Sequence, residues 1–381
     1  MMTPALNATG PAASTESNPA HLNLSVLDLV PLRSGQTSTG ALAAAIGLAQ
    51  TADSLGYSRY WVAEHHNMSS VASTNPPVIM GILAARTERI RVGSGGIMLP
   101  NHSPLVIAEQ IALLEAAFPG RVDVGFGRAP GSDPVISSLL RSHGAVSDVN
   151  DFERNVGDIT ALLHADGAQL QLASGQEYPL RATPNAETVP QVWMLGSSPF
   201  SADLAAKMGL PYVFANHFSG DSTTQALEMY RSRFTPSDTL AEPRTFLTVN
   251  VSVADTAEHA LALALPQLQQ MARLRTGQPM GALATVQEAA QTVMTPAQQS
   301  MIAAMSRDWI IDTPPAAAAR LRAMADTFGV HEVMVVPGAS EPDGVDPHTA
   351  PSRVRALELL AAELHPELAG SVVTADAVLA G

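Results

Sequence analysis

The feature that most constrains this chain is a rhythm: short apolar runs alternate with longer segments of helical period. The apolar runs are Leu22–Val30, Tyr60–Ala63, Ile90–Met98, Val122–Phe126, Gln191–Leu195, Tyr212–Ala215, Phe246–Val253 and Glu332–Val336. Between and after them the pattern predicts helices over Ser38–Leu55, Pro77–Arg86, Leu105–Phe118, Asp151–His164, Ser201–Met208, Thr223–Phe234, Thr256–Met271 and Ser352–Leu364. A strand covered on both faces reads as a nearly unbroken apolar run, and a helix between strands returns the chain to start the next one in parallel. Eight such units predict an α/β fold, a closed (β/α)8 TIM barrel rather than an open doubly wound sheet. No G-x-x-x-x-G-K-[ST] occurs and no G-x-G-x-x-G follows the first strand, which counts against a nucleotide-binding open sheet. Two segments break the rhythm. Leu170–Leu180 reads as a small polar hairpin. The stretch from about 267 to 311, between the seventh and eighth strands, is rich in Ala and Gln and reads without a strand. An insertion of that length usually has a function, often as a lid.

Composition bounds the class. With 381 residues, 46% of them hydrophobic, the chain can bury one large core, expected as a single barrel domain over 21–381. A net charge of -14 with no basic patch argues against nucleic acid as a partner. The absence of cysteine excludes disulfides, thiolate metal sites and cysteine nucleophiles. No apolar run approaches the roughly 20 residues that span a bilayer. Residues 1–20 lack the basic and apolar regions of a signal peptide, so they read as a disordered tail on a cytoplasmic protein.

A barrel places its chemistry at the C-terminal ends of its strands. There the sequence sets Glu64-His65-His66-Asn67 after the second strand and Gly95-Gly96, then Asn101-His102, after the third. Gly127-Arg128-Ala129-Pro130-Gly131 follows the fourth, Gly196-Ser197-Ser198-Pro199-Phe200-Ser201 the fifth, and Asn216-His217 the sixth. Neighbours on a strand point opposite ways, so one of His65 and His66 faces the cavity while the other packs. No H-E-x-x-H or H-x-H is present, and no metal is expected. The third strand carries three glycines and a serine that do not read as packing residues. Glycine inside a strand marks a bulge, a bend or a close approach of backbone to a ligand. Arg128 reads either as half of a rim salt bridge or as a phosphate contact. The serines read either as an ordinary helix N-cap or as a phosphate site on open backbone N–H groups.

Four stretches together carry a resemblance: Y-W-V-A-E-H-H-N at 60–67, V-G-S-G-G-I-M-L-P-N-H-S-P at 92–104, G-R-V-D-V-G-F-G-R-A-P-G at 120–131 and L-G-S-S-P-F-S-A-D-L-A-A-K-M-G-L-P at 195–211. In order and spacing they resemble the bacterial luciferase-like, flavin-dependent monooxygenases, over about Leu22 to His365. The resemblance implies a (β/α)8 barrel, a homodimer pairing through the helices at 77–86 and 105–118, and reduced FMN delivered by a separate flavin reductase. With dioxygen it would oxidise a small organic substrate. Residue by residue, it implies that Gly95 and Gly96 form a cis peptide under the flavin ring. Arg128, together with Gly196, Ser197, Ser198 and Ser201, would bind the flavin phosphate. His65 would be catalytic, and Glu64 a hydrogen-bonded structural carboxylate. The stretch near 267–311 would be the mobile lid. There are departures: this chain has no pocket cysteine, Ser197 stands where luciferase has an acid, and Asp312 stands where a glycine is common near the eighth strand. Two other readings remain: a deazaflavin-dependent hydride-transfer enzyme of the same fold, and a non-catalytic flavin-binding protein.

Overall fold

The computed structural model describes residues 3–4, 22–129, 131–141, 149–218, 220, 222–278 and 280–366. Eight parallel strands form the barrel: β1 (Asn23–Asp28), β2 (Arg59–Val62), β3 (Arg91–Met98), β4 (Val122–Gly127), β5 (Gln191–Gly196), β6 (Tyr212–Phe214), β7 (Thr245–Val253) and β8 (Glu332–Pro337). Each pairs with its successor, and β8 pairs back onto β1, so the sheet closes. The first pairing in register sets Val26 against Tyr60, and the closing one sets Val335 against Val26. The predicted (β/α)8 barrel is therefore the observed fold.

The departures are local. The expected hairpin is present as strands Ala168–Gln171 and Glu177–Leu180, and Thr3–Pro4 adds a third strand to it. The remainder of the expected tail over 1–20 lies outside the described residues. A helix at Pro134–Arg141 was not anticipated, and the helix expected from Ser201 begins at Pro199. The 267–311 stretch is not irregular. Helix Ala257–Arg275 runs into it, helices Val286–Gln291 and Pro296–Asp308 follow, and a three-residue strand, Ile310–Asp312, pairs beside β7. Asp312 thus belongs to that extra strand and not to β8. Met294, Met305 and Trp309 pack on Leu268 and Ala272, giving the segment an apolar core of its own.

The bore of the barrel is plugged. Leu27, Trp61, Trp193, Val213, Phe246, Met334 and Val336 fill it, as interdigitating side chains do in barrels of this size. Toward the N-terminal end, Arg59 donates to both oxygens of Glu332 at 2.6 and 3.0 Å and to Asp123 at 2.8 Å. Its guanidinium lies 4.9 Å from the Trp193 ring centroid and 5.3 Å from that of Phe246. Buried charge is tolerated when paired and hydrogen-bonded in this way. The glycines of β3 make room for this plug. A Cβ at Gly93 would stand 2.4 Å from the Trp61 ring nitrogen, and one at Gly95 would stand 2.7 Å from Leu27. Packing therefore does demand them, which corrects the reading that they serve no packing purpose. With the bore filled, any small-molecule chemistry sits above it, at the C-terminal rim.

Candidate active site

The chain leaves β2 through Glu64, which is fully buried. One carboxylate oxygen accepts from His66 Nε2 at 2.7 Å and from His102 Nε2 at 2.8 Å. The other accepts from the Met98 backbone N–H at 3.0 Å. Both imidazoles spend their Nε2 hydrogens on the carboxylate, so the trio is a hydrogen-bond hub joining the loops after β2 and β3. Burial alone would raise the Glu64 carboxyl. The His102 and His66 hydrogen bonds outweigh it and hold the group at about 2.

His65 stands apart from this hub. Its backbone N–H goes to Ser73 O at 3.0 Å. Its Nδ1 is buried and has no hydrogen-bond partner among the described residues. Burial pushes its pKa down, so the ring is a neutral base near physiological pH. Both histidines lie past the end of β2 at Val62, so hydrogen bonding and not strand alternation separates the pair: His66 is bonded to Glu64, and His65 keeps an uncommitted nitrogen.

Along β3 the Gly95–Gly96 peptide is cis, as the resemblance implied. The pairing with β4 slips between Gly95 and Ile97, a bulge at the point where glycine suggested one. A Cβ at Gly96 would meet Leu195 at 2.5 Å and the Gly125 carbonyl at 2.7 Å, so only glycine fits.

After β4, Arg128 is exposed and, among the described residues, makes no ion pair, so the rim salt-bridge reading is not what the structure shows. Its guanidinium stacks instead on the Phe200 ring, 4.1 Å from the centroid. Phe200 lies in the first turn of helix Pro199–Met208. Ser198 occupies the N-cap, but its side chain caps nothing. Ser201 is buried and donates to the Ser198 carbonyl at 2.9 Å, with its Oγ 3.3 Å from the Tyr212 hydroxyl. A Cβ at Gly196 would fall 1.9 Å from that Oγ, which is why glycine ends β5. Of the serines, Ser197 is exposed and Ser198 half-buried, while the Ser201 hydroxyl is already spent inside the protein. The helix start thus offers unclaimed first-turn N–H groups next to a positioned cation, a combination that suits an anion.

After β6, His217 Nδ1 lies 2.7 Å from Thr248 Oγ1 on β7. Burial brings this imidazole down to about 4, and the neighbouring His65 pushes the same way. The expected residues are thus placed on successive strands: His65 after β2, Gly95 and Gly96 on β3, Arg128 after β4, Gly196 through Ser201 after β5. His102, Phe200 and His217 were visible in the rim motifs but carried no assigned role. Thr248 gave no sequence signal, because a threonine inside a strand reads as ordinary strand composition.

A family model described as luciferase-like monooxygenase matches residues 22–332. A luciferase-like monooxygenase of Escherichia coli is 43% identical over 254 residues, covering 67% of this chain and 73% of the relative. An N-acetyl-S-alkylcysteine monooxygenase of Bacillus subtilis is 37% identical over 200 residues, 52% of this chain and 58% of the relative. Among solved structures, apo-MsnO8 superposes with a TM-score of 0.77 at 31% identity, covering 90% of this chain and 98% of that one. Two more distant structures, each 16% identical, share the fold. One is the oxygenating constituent of 3,6-diketocamphane monooxygenase from Pseudomonas putida in complex with FMN, with a TM-score of 0.64, covering 91% of this chain and 98% of that one. The other is an F420-dependent secondary alcohol dehydrogenase, with a TM-score of 0.59, covering 89% of this chain and 99% of that one. By the extent of these matches the chain belongs to the luciferase-like monooxygenase family.

Proposed function

We propose that the chain binds FMN at the C-terminal rim and, with reduced FMN from a separate flavin reductase and dioxygen, oxidises a small organic substrate. The observation that carries the choice of cofactor is Arg128 held on Phe200 beside the open start of helix Pro199–Met208. Those groups fit a single phosphate. Few Lys or Arg stand near 195–201, which disfavours the longer polyanionic tail of a deazaflavin coenzyme. When bound, reduced FMN supplies the electrons that activate dioxygen. The chain supplies the rest. Arg128, with the backbone N–H groups of the Gly196–Ser201 segment at the start of helix Pro199–Met208, would hold the phosphate, and the backbone at Gly95–Gly96 would meet the ring. His65 Nδ1 takes or returns a proton there.

The insertion, about 267–311, acts as a lid whose residues 280–283 reach the neighbouring loops. Met280 O accepts from Ser69 Oγ at 3.1 Å, and Leu283 exchanges backbone hydrogen bonds with Leu32 and Ser34 at 2.7 and 2.8 Å. These contacts clasp the segment to the loops after β1 and β2, where it would exclude water. Residues 21–381 act as one barrel domain in this reading. Val78, Ile82, Leu105, Val106 and Leu113 are exposed on helices Pro76–Ala84 and Pro104–Ala117, and this apolar face pairs two copies about a two-fold axis. No described helix is long and apolar enough to cross a membrane; a cytoplasmic site of action belongs to the same proposal.

The test is a fluorescence titration with FMN, riboflavin and the deazaflavin coenzyme. It is followed by product analysis on aldehydes, sulfonates, amines and N-acetylated thioethers with a reductase present. FMN should bind most tightly. Preference for the deazaflavin, or no oxygenated product from any class, would refute the reading.

A further inference from the structure

His217 has no part in the reading above, yet its surroundings constrain its chemistry. The one hydrogen of Thr248 Oγ1 has two acceptors in reach, the Phe214 carbonyl at 3.2 Å and His217 Nδ1 at 2.7 Å. The oxygen accepts from the His217 backbone N–H at 3.4 Å, which leaves one lone pair for the imidazole Nδ1. A hydroxyl has one hydrogen and two lone pairs. With the hydrogen given to Phe214, Nδ1 carries its own hydrogen and donates, which is the Nδ1–H tautomer with Nε2 bare; with the hydrogen given to Nδ1, the other tautomer results. Asn250 Nδ2 donates to the His217 carbonyl at 2.8 Å, which clamps the backbone as well. Burial favours the neutral ring. Among the described residues nothing donates to Nε2, and the residue remains half-buried, its ring against Phe218.

We propose that Thr248 gives its hydrogen to Phe214, so that His217 is held as the Nδ1–H tautomer, and that His217 is a substrate-contacting residue: its Nε2 lone pair accepts a hydrogen bond from the substrate, and the site selects substrates that carry an N–H or O–H near the atom oxidised. This rests on the monooxygenase reading of the same rim. A nitrogen that can only accept, in a site closed to water, is left unpaired by a substrate without a donor, and that penalty is the selectivity.

Two measurements test it. The first needs no flavin. In nitrogen-15 NMR of histidine-labelled protein at pH 7, with His217→Asn used for assignment, the ring should be neutral and protonated on Nδ1. Thr248→Val keeps the shape of the side chain and should let both tautomers appear. A ring protonated on Nε2, or a charged ring, in the wild type would overturn the proposal. The second compares matched N-acetylated thioethers carrying N–H or N–CH3 at the amide. In His217→Phe the KM for the N–H compound should rise about threefold to tenfold with kcat retained, and that for the N–CH3 compound should fall, because the unpaired nitrogen is gone. Equal effects on both compounds would overturn it. If no panel compound is oxygenated, the monooxygenase reading fails, while the tautomer measurement still decides how His217 is held.

Discussion

Removal of the Arg128 guanidinium probes the cofactor site most directly. Arg128 is exposed at the rim and held over Phe200 at 4.1 Å, so Arg128→Ala disturbs no buried partner and should leave the fold intact. A charge-assisted hydrogen bond is worth about 1.5–3 kcal/mol. Solvent at an exposed position screens the contact, so the lower half of that range applies. The expected loss is therefore about tenfold in FMN affinity, with a ceiling near a hundredfold. Riboflavin has no phosphate, and its weaker affinity should not change. Phe200→Ala leaves the charge but removes the face that orients it. A cation–π contact at an exposed site is worth about 0.5–1 kcal/mol, so FMN should weaken by about twofold to fivefold. The assay is fluorescence titration of the three proteins with both flavins, repeated at raised salt, where the wild-type advantage for FMN over riboflavin should shrink. If Arg128→Ala weakens FMN and riboflavin equally, the arginine holds the loop and not a phosphate. If it weakens neither, the phosphate lies elsewhere.

His65→Ala should keep FMN binding but lose product, with reduced flavin spent as hydrogen peroxide, since general acid–base help contributes about 10²–10⁴-fold; full coupling in this variant, measured as product per reduced flavin, would rule out a catalytic role. Glu64 is held at about 2 against 4.5 for the free carboxyl. Its folded pKa lies below the unfolded one, so its stabilisation is complete above pH 4.5 and fades as pH falls toward 2. That stabilisation is about 3 kcal/mol. Glu64→Gln should be less stable at pH 7 and show a flatter acid limb in urea melts between those values; parallel curves for variant and wild type would contradict this. Val106→Glu, on the exposed apolar face, should convert a dimer into a folded monomer in sedimentation at micromolar concentration, and a wild type that is already monomeric would refute the interface.

The sequence by itself determined the barrel, the location of its eight strands and the arc of the rim on which the candidate residues stand. The reason is physical: strand and helix periods are local properties, and a run buried on both faces can hardly be anything but apolar. The two helices inside the insertion went unread, although Thr285 with Glu288 and Thr295 with Gln298 form capping boxes at their starts. Only the tertiary structure decided the rest. Whether a β3 glycine answers to a ligand or to Trp61 depends on a side chain from the neighbouring strand. His65 and His66 are adjacent and chemically identical, and they differ because Glu64 claims His66. The partner of the His217 ring is a threonine 31 residues away. Side-chain roles of this kind come from contacts between distant segments, and no local pattern encodes them.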